Sequence, residues 1–309
     1  MTTSLRPRLL AFASAFFAFL LVVGEVALGA TPTKVLGTPR SEFGGTAENG
    51  YLAYTQSRAG QPKRFDAYLK APGVAKIKVN AGGTQGYHTN LEMANPTFGD
   101  ALVFVQKGGG DADIKIWNVD SGGRSNPPVG VNTQASEAKP SLDGNHLLFG
   151  RGPANRLFIA RVILFDLTLN TSVVVDTAPT NGIVYPGIVN GDWATWTECS
   201  QSDCRVWRYH IPTETKTEVP SSARLIYTSA IDEVGTVWFV QSGIGCGANV
   251  KIRRHVIGVG SSTLIDFPRG IDANISDLDD SGATHRLYFA RVNCANVNNW
   301  NIYRVAADA

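Results

Sequence analysis

Residue types that do chemistry are present in this chain, but seldom at spacings that let them act together. The five histidines (His88, His146, His210, His255 and His285) form no HxxxH or HExxH pair, the spacing that sets two imidazoles on one helical face around zinc. A Gly-x-Ser-x-Gly nucleophile elbow and a Walker-type phosphate loop are both absent from the sequence, so serine hydrolysis and nucleotide hydrolysis lack their machinery. Two oxygen-rich stretches invite a calcium reading: Asp111 and Asp113 after Gly108-Gly109-Gly110, and Asp277, Asp279 and Asp280 before Gly282. Neither ends in the glutamate of an EF-hand loop, and the second falls on a recurring turn, so turn chemistry is the reading adopted. No catalytic residue, metal ligand or cofactor is assigned; calcium or another divalent ion is the cofactor to test for.

Cys199, Cys204, Cys246 and Cys294 have no CxxC pair or close histidine, which argues against zinc. Their even number favours disulfides if the chain is exported. Export is read from the N-terminus. Arg6 and Arg8 precede an apolar run from Leu9 to Val23, followed by small residues at Ala27, Gly29 and Ala30, which makes residues 1–30 a signal peptide. The run falls short of the roughly 20 residues that a membrane helix needs, so no membrane insertion is expected after cleavage. The remaining 31–309 holds 26 basic and 25 acidic residues, a balance without the basic footprint of a nucleic-acid-binding protein.

The elements that position these residues follow from a repeat. A short apolar run recurs six times, its third residue being Tyr54, Phe104, Phe149, Trp196, Phe239 and Phe289, at spacings of 50, 45, 47, 43 and 50 residues. Turn residues precede most copies, such as Asp143-Gly144 and Asn190-Gly191, which tolerate the positive φ of tight hairpins. A second strand follows 13–16 residues on, as in Trp117-Asn118-Val119 and Tyr209-His210-Ile211. Three to four short strands per unit at this period describe propeller blades. The stretch Pro140-Ser141-Leu142-Asp143-Gly144-Asn145-His146-Leu147-Leu148-Phe149 resembles the TolB-like propeller repeat, Pro-x-x-Ser-Pro-Asp-Gly-Lys and an apolar strand. The resemblance covers the propeller alone, without the N-terminal α/β domain of TolB proteins.

The expected fold is therefore all-β, a six-bladed propeller over 31–309. The sixth unit stops after its third strand, and the spare segment Thr33-Lys34-Val35-Leu36-Gly37 precedes the first. Pairing the two completes the last blade and closes the ring, which removes an exposed sheet edge.

Function is expected on the face that carries the loops between second and third strands and the loops between blades. Cys199 and Cys204 fall within one such hairpin, and Cys246 and Cys294 on equivalent loops of blades five and six, so the expected pairs are 199–204 and 246–294. Two residues past each marker stand Gln56, Gln106, Arg151, Glu198, Gln241 and Arg291, either a ring around the channel mouth or strands emerging into water. The expected ligand-binding set is His88, Gln106, Arg151, Tyr185, Glu198, Tyr227, Gln241 and Arg291. The leading expectation is a monomeric, periplasmic or extracellular binding protein that holds a protein or a cell-envelope polymer. The alternative is a metal-dependent lyase or hydrolase of a small molecule, favoured if His88 converges with Asp111, Asp113, Glu198 or Asp272. A neutral or aromatic channel favours binding, and a purely architectural propeller remains a third reading.

Overall fold

The computed structural model describes residues 30–154, 158–200, 203–221, 225–242 and 249–308, with 225–227 described by backbone alone. The expected signal lies outside them except for Ala30. The described chain forms six four-stranded antiparallel sheets. The inner strands are Glu42–Glu48, Gln85–Asn95, Ser136–Asp143, Ile183–Asn190, Leu225–Ile231 and Ile271–Asp279 in blades 1 to 6. Each touches the inner strand of the next blade, and the sixth touches the first. Among the described residues the only helical element is a 3-10 turn, Cys294–Asn296.

The recurrent runs occupy the second strand of every blade: Tyr51–Arg58, Gly99–Lys107, His146–Gly152, Trp193–Cys199, Val237–Ser242 and Arg286–Asn293. All six markers are at most 1% exposed. They fill the wedges between blades: Phe104 sits with Ala53 and Leu69 of blade 1, Phe149 with Val103 and Ile116 of blade 2, and Trp196 with Leu148 and Leu164 of blade 3. A blade cannot bury its own faces, so this contact between neighbours is the core. The hairpins behave as their residues require. Asn49 and Gly50 both take positive φ, 48° and 83°, as a tight hairpin turn demands.

Blade 6 takes its outer strand from the N-terminal side. Thr33–Leu36 pairs antiparallel with Asn301–Ala306, with Lys34 opposite Tyr303. Every inner strand also carries a register irregularity midway along, for example between Tyr87 and Asn90, Ala138 and Ser141, and Pro186 and Val189. The repeat did not announce these bulges, although Pro140 and Pro186 within two of them mark strands with one unpaired side.

Phe149→Ala should lower the unfolding free energy by about 3–5 kcal/mol in a urea titration. A chain lacking residues 33–37 should melt at a lower temperature, because it bares the Asn301–Ala306 edge. An unchanged melt would show that this pairing carries none of the ring's stability.

Candidate functional site

The bulges open a cavity of about 330 Å³ on the axis, reached by residues from inner strands of all six blades. Its lining includes Gly44, His88 and Lys139, which hold equivalent places as the first residue inside the bulge in blades 1, 2 and 3. All three have positive φ: 60°, 46° and 50°. Glycine adopts this conformation freely, whereas a side chain there costs about 1–2 kcal/mol. Lys139 is further out of place because a residue before proline is normally extended. Two side chains are thus held mid-strand at a conformational cost, and both face the cavity. Such strain is concentrated at functional sites.

Electrostatics set the two apart. Burial, reinforced by the charge of Lys139, pushes the His88 imidazole down to about 3, so it is neutral at physiological pH. Burial alone lowers the Lys139 ammonium to about 8, which leaves it mostly charged at neutrality. The Lys139 Nζ lies 5.3 Å from the Tyr185 ring centroid, a cation–π contact. Around the upper rim runs an aromatic arc from blade 6 to blade 2: Trp300 and Phe43 at 5.2 Å between centroids, Phe43 and Phe65 at 5.6 Å, Phe65 and Tyr87 at 5.9 Å. No carboxylate appears among the described lining residues.

Beneath the cavity, outside its lining, lies a polar waist. Asp277 is 5% exposed and its carboxyl is pushed well up by burial. It accepts hydrogen bonds from the Thr46 hydroxyl and, at 3.5 Å, from Asn90 Nδ2. Below it the channel opens at a mouth lined by Glu48, Glu92, Asp143, Asp279 and Asp280. These acids have structural work. Glu48 accepts from Met93 N at 2.7 Å, Glu92 from Gly144 N at 3.3 Å and Asp143 from Gly191 N at 2.5 Å, so each binds the end of the next blade's inner strand or the turn that follows it. Among the described residues no group of three His, Cys, Asp or Glu side chains is arranged to hold a metal ion.

The residues expected from sequence separate into two sets. His88 lines the cavity and Tyr185 stacks under Lys139. The side chain of Tyr227 lies outside the described residues. The remaining residues sit beside the segments between blades. Gln106 accepts from Ala81 N at 3.0 Å, and Arg151 donates to Glu137 at 3.0 Å and to the Gly130 and Val131 carbonyls at 2.9 Å. Glu198 lies 3.8 Å from Lys216, Arg291 stacks over Phe267 and Tyr303, and Gln241 is half-buried beside Arg253. Asp111, Asp113 and Asp272 are not among the residues described around His88. The Cys199–Cys204 disulfide is present, with Cα atoms 4.1 Å apart. Cys294 is also disulfide-bonded; Cys246, its expected partner, lies outside the described residues.

No protein-family model and no curated protein matches the chain, but solved structures do. It matches TolB from Acinetobacter baumannii with a TM-score of 0.55 and 13% identity, over 84% of this chain and 64% of that one. It thus spans less than two thirds of that TolB. A putative TolB from Agrobacterium tumefaciens matches with a TM-score of 0.52 and 15% identity, over 75% and 83%. A luciferin-regenerating enzyme matches with a TM-score of 0.56 and 13% identity, over 90% and 96%. The fold is that of a TolB-like six-bladed propeller.

Two features of this TolB-like propeller escaped the sequence reading. One is Lys139, whose signal was a charged residue before proline on an inner strand. The other is a fastening shared by blades 1 and 3. Thr38 donates to Glu42 at 2.6 Å and Thr133 to Glu137 at 2.9 Å, and Gln56 or Arg151 reaches the same carboxylate at 3.0 Å. The Thr-x-x-x-Glu spacing, read with the position two past the marker, was the available clue.

Burial first, then the neighbouring acids, pushes Glu48 up to about 7 and Glu92 to about 8. Both bind their protons more tightly folded than unfolded, so the stability they contribute is complete below about pH 4.5 and is lost as pH rises through 7 and 8. The melting temperature should therefore be higher at pH 5 than at pH 8. Glu92→Gln should narrow the difference, and a gap that the substitution leaves unchanged would contradict this assignment.

Proposed function

We propose that the protein is an exported binding propeller that holds a protein or cell-envelope ligand at its upper face, with one group of that ligand entering the central cavity. The observation that carries this reading is the cavity itself: an aromatic rim above a lining without a described carboxylate. Acid–base or metal-assisted hydrolysis calls for a carboxylate or imidazole cluster near the reacting bond. Here the one lining histidine is neutral and the acids beneath are engaged in joining blades. Rigid aromatic anchors suit recognition, since they bury large area at small entropic cost. The Cys199–Cys204 bridge, on a loop of this same face, fits an oxidising compartment, periplasmic or extracellular. A monomer is the state proposed, because the rim and cavity are complete within one chain.

The test is retention of an envelope component by immobilised protein. Phe65→Ala or Tyr87→Ala should weaken retention by about tenfold or more while leaving the thermal melt near that of the wild type. Chelator-sensitive turnover of an ester or lactone by the purified protein would instead establish the metal-dependent alternative.

A further inference from the structure

Among the described residues, three polar groups around the cavity find no partner. Among the described residues the Lys139 ammonium has no hydrogen bond and no ion pair, and it contacts the Tyr185 ring. The Nδ1 atom of His88 is buried and unpartnered, and so is Oγ1 of Thr55, a residue 3% exposed. All three residues line the same cavity. They are also near one another. The Lys139 charge acts on His88, Thr89 beside His88 donates to the Gly44 carbonyl at 2.7 Å, and a Cβ on Gly44 would stand 3.9 Å from Thr55 Oγ1.

Buried polar groups such as Thr55 Oγ1 and His88 Nδ1 are normally satisfied, and the ammonium of the half-buried Lys139, without a counter-charge among the described residues, is left to pair with what enters the cavity. An ammonium donates only, a hydroxyl can donate, and a neutral imidazole carries one N–H and one acceptor nitrogen. What satisfies all three together is an anion with two acceptor oxygens. The apolar wall formed by Pro186, Ile188, Ile275 and Ala290 calls for a nonpolar body attached to it. The acid-lined mouth lies on the other side of the waist closed by the buried Asp277, so access is from the aromatic rim.

We propose that the cavity is a carboxylate site: the Lys139 ammonium pairs with a carboxylate whose apolar or aromatic body lies against the opposite wall. This deepens the binding reading and rests on it. The carboxylate is either that of a free small acid or the C-terminus of a chain entering through the rim.

The experiment uses the full exported protein and four probes: phenylacetate, phenylacetamide, the dipeptide Ala-Phe and its C-terminal amide. Binding is followed by calorimetry. Protection of Lys139 from reductive methylation by each of the four probes is followed by peptide mass spectrometry. At least one carboxylate should bind and protect Lys139, with the matching amide about tenfold weaker or worse. Preference for phenylacetate over Ala-Phe identifies a free acid as the source, and the reverse identifies a chain terminus. Affinity should fall as pH rises past about 8, where free Lys139 loses its proton. Lys139→Met should abolish the preference of acid over amide. Lys139→Gly, which suits the positive φ, is the second variant should methionine fail to fold.

If acids and amides bind equally, the cavity is a binding site but not for anions, and the inference falls while the binding reading stands. If no carboxylate binds or protects Lys139 at millimolar concentration, the inference also falls. Loss of envelope-component retention in the rim variants, measured separately, then still supports the broader reading.

Discussion

A propeller brings six sheet edges together on one axis, and each inner strand arrives there with half its backbone groups unpaired. No further strand can reach them, so side chains of the adjacent blade must. Thr46 Oγ1 accepts from Leu91 N at 3.2 Å, Asn90 Oδ1 from Leu142 N at 2.7 Å and Ser141 Oγ from Val189 N at 3.1 Å. One level lower the carboxylates of Glu48, Glu92 and Asp143 do the same for the turns. Blade-to-blade adhesion is therefore polar near the axis and apolar further out, where the six markers lie. Buried backbone donors must be satisfied, and this requirement dictates the composition of the whole channel below the bulges.

Above the waist the same requirement is relaxed, because the bulges interrupt the ladder and turn the backbone aside. Space appears there, along with side chains that no neighbouring blade needs. Below, carboxyls crowd together and hold their protons because burial and mutual repulsion disfavour charge. Above, a single ammonium stands with neutral and aromatic company. The channel thus has two chemically opposite ends separated by the buried Asp277, although both are built on one repeat. Position along the axis decides whether a polar residue serves the ring or is free to meet something else.

Much of the architecture was legible in the sequence because it is a matter of period. Six markers near one spacing, each at most 1% exposed in the structure, could be found by alignment of the chain with itself. The Cys199–Cys204 pair followed from its place in one hairpin. The site was less legible. Gln106 and Arg151 were singled out as long polar residues at one aligned position, and alignment could not reveal that they reach sideways to the segment between blades. Lys139 passed unnoticed because period-based reading treats an inner-strand residue as part of the scaffold. Its significance lies in φ, which depends on where a bulge falls, and bulges have no fixed residue signature.

What distinguishes this propeller from a symmetric ring is that its blades have diverged at one level. At the first place inside the bulge, blades 1, 2 and 3 hold Gly44, His88 and Lys139 in the left-handed region. The facing part of the lining, from blades 4 and 6, includes Pro186, Ile188, Ile275 and Ala290. Selection for stability alone would place glycine at all three strained positions, as blade 1 does, and would not leave an ammonium in the cavity without a carboxylate. The Thr-x-x-x-Glu fastening recurs at blades 1 and 3, and in blade 3 it ends at Glu137, two residues before Lys139. One half of the cavity is thus charged, strained and braced, while the other is apolar. A molecule complementary to that division has a charged head and a nonpolar flank, and it enters past the aromatic rim.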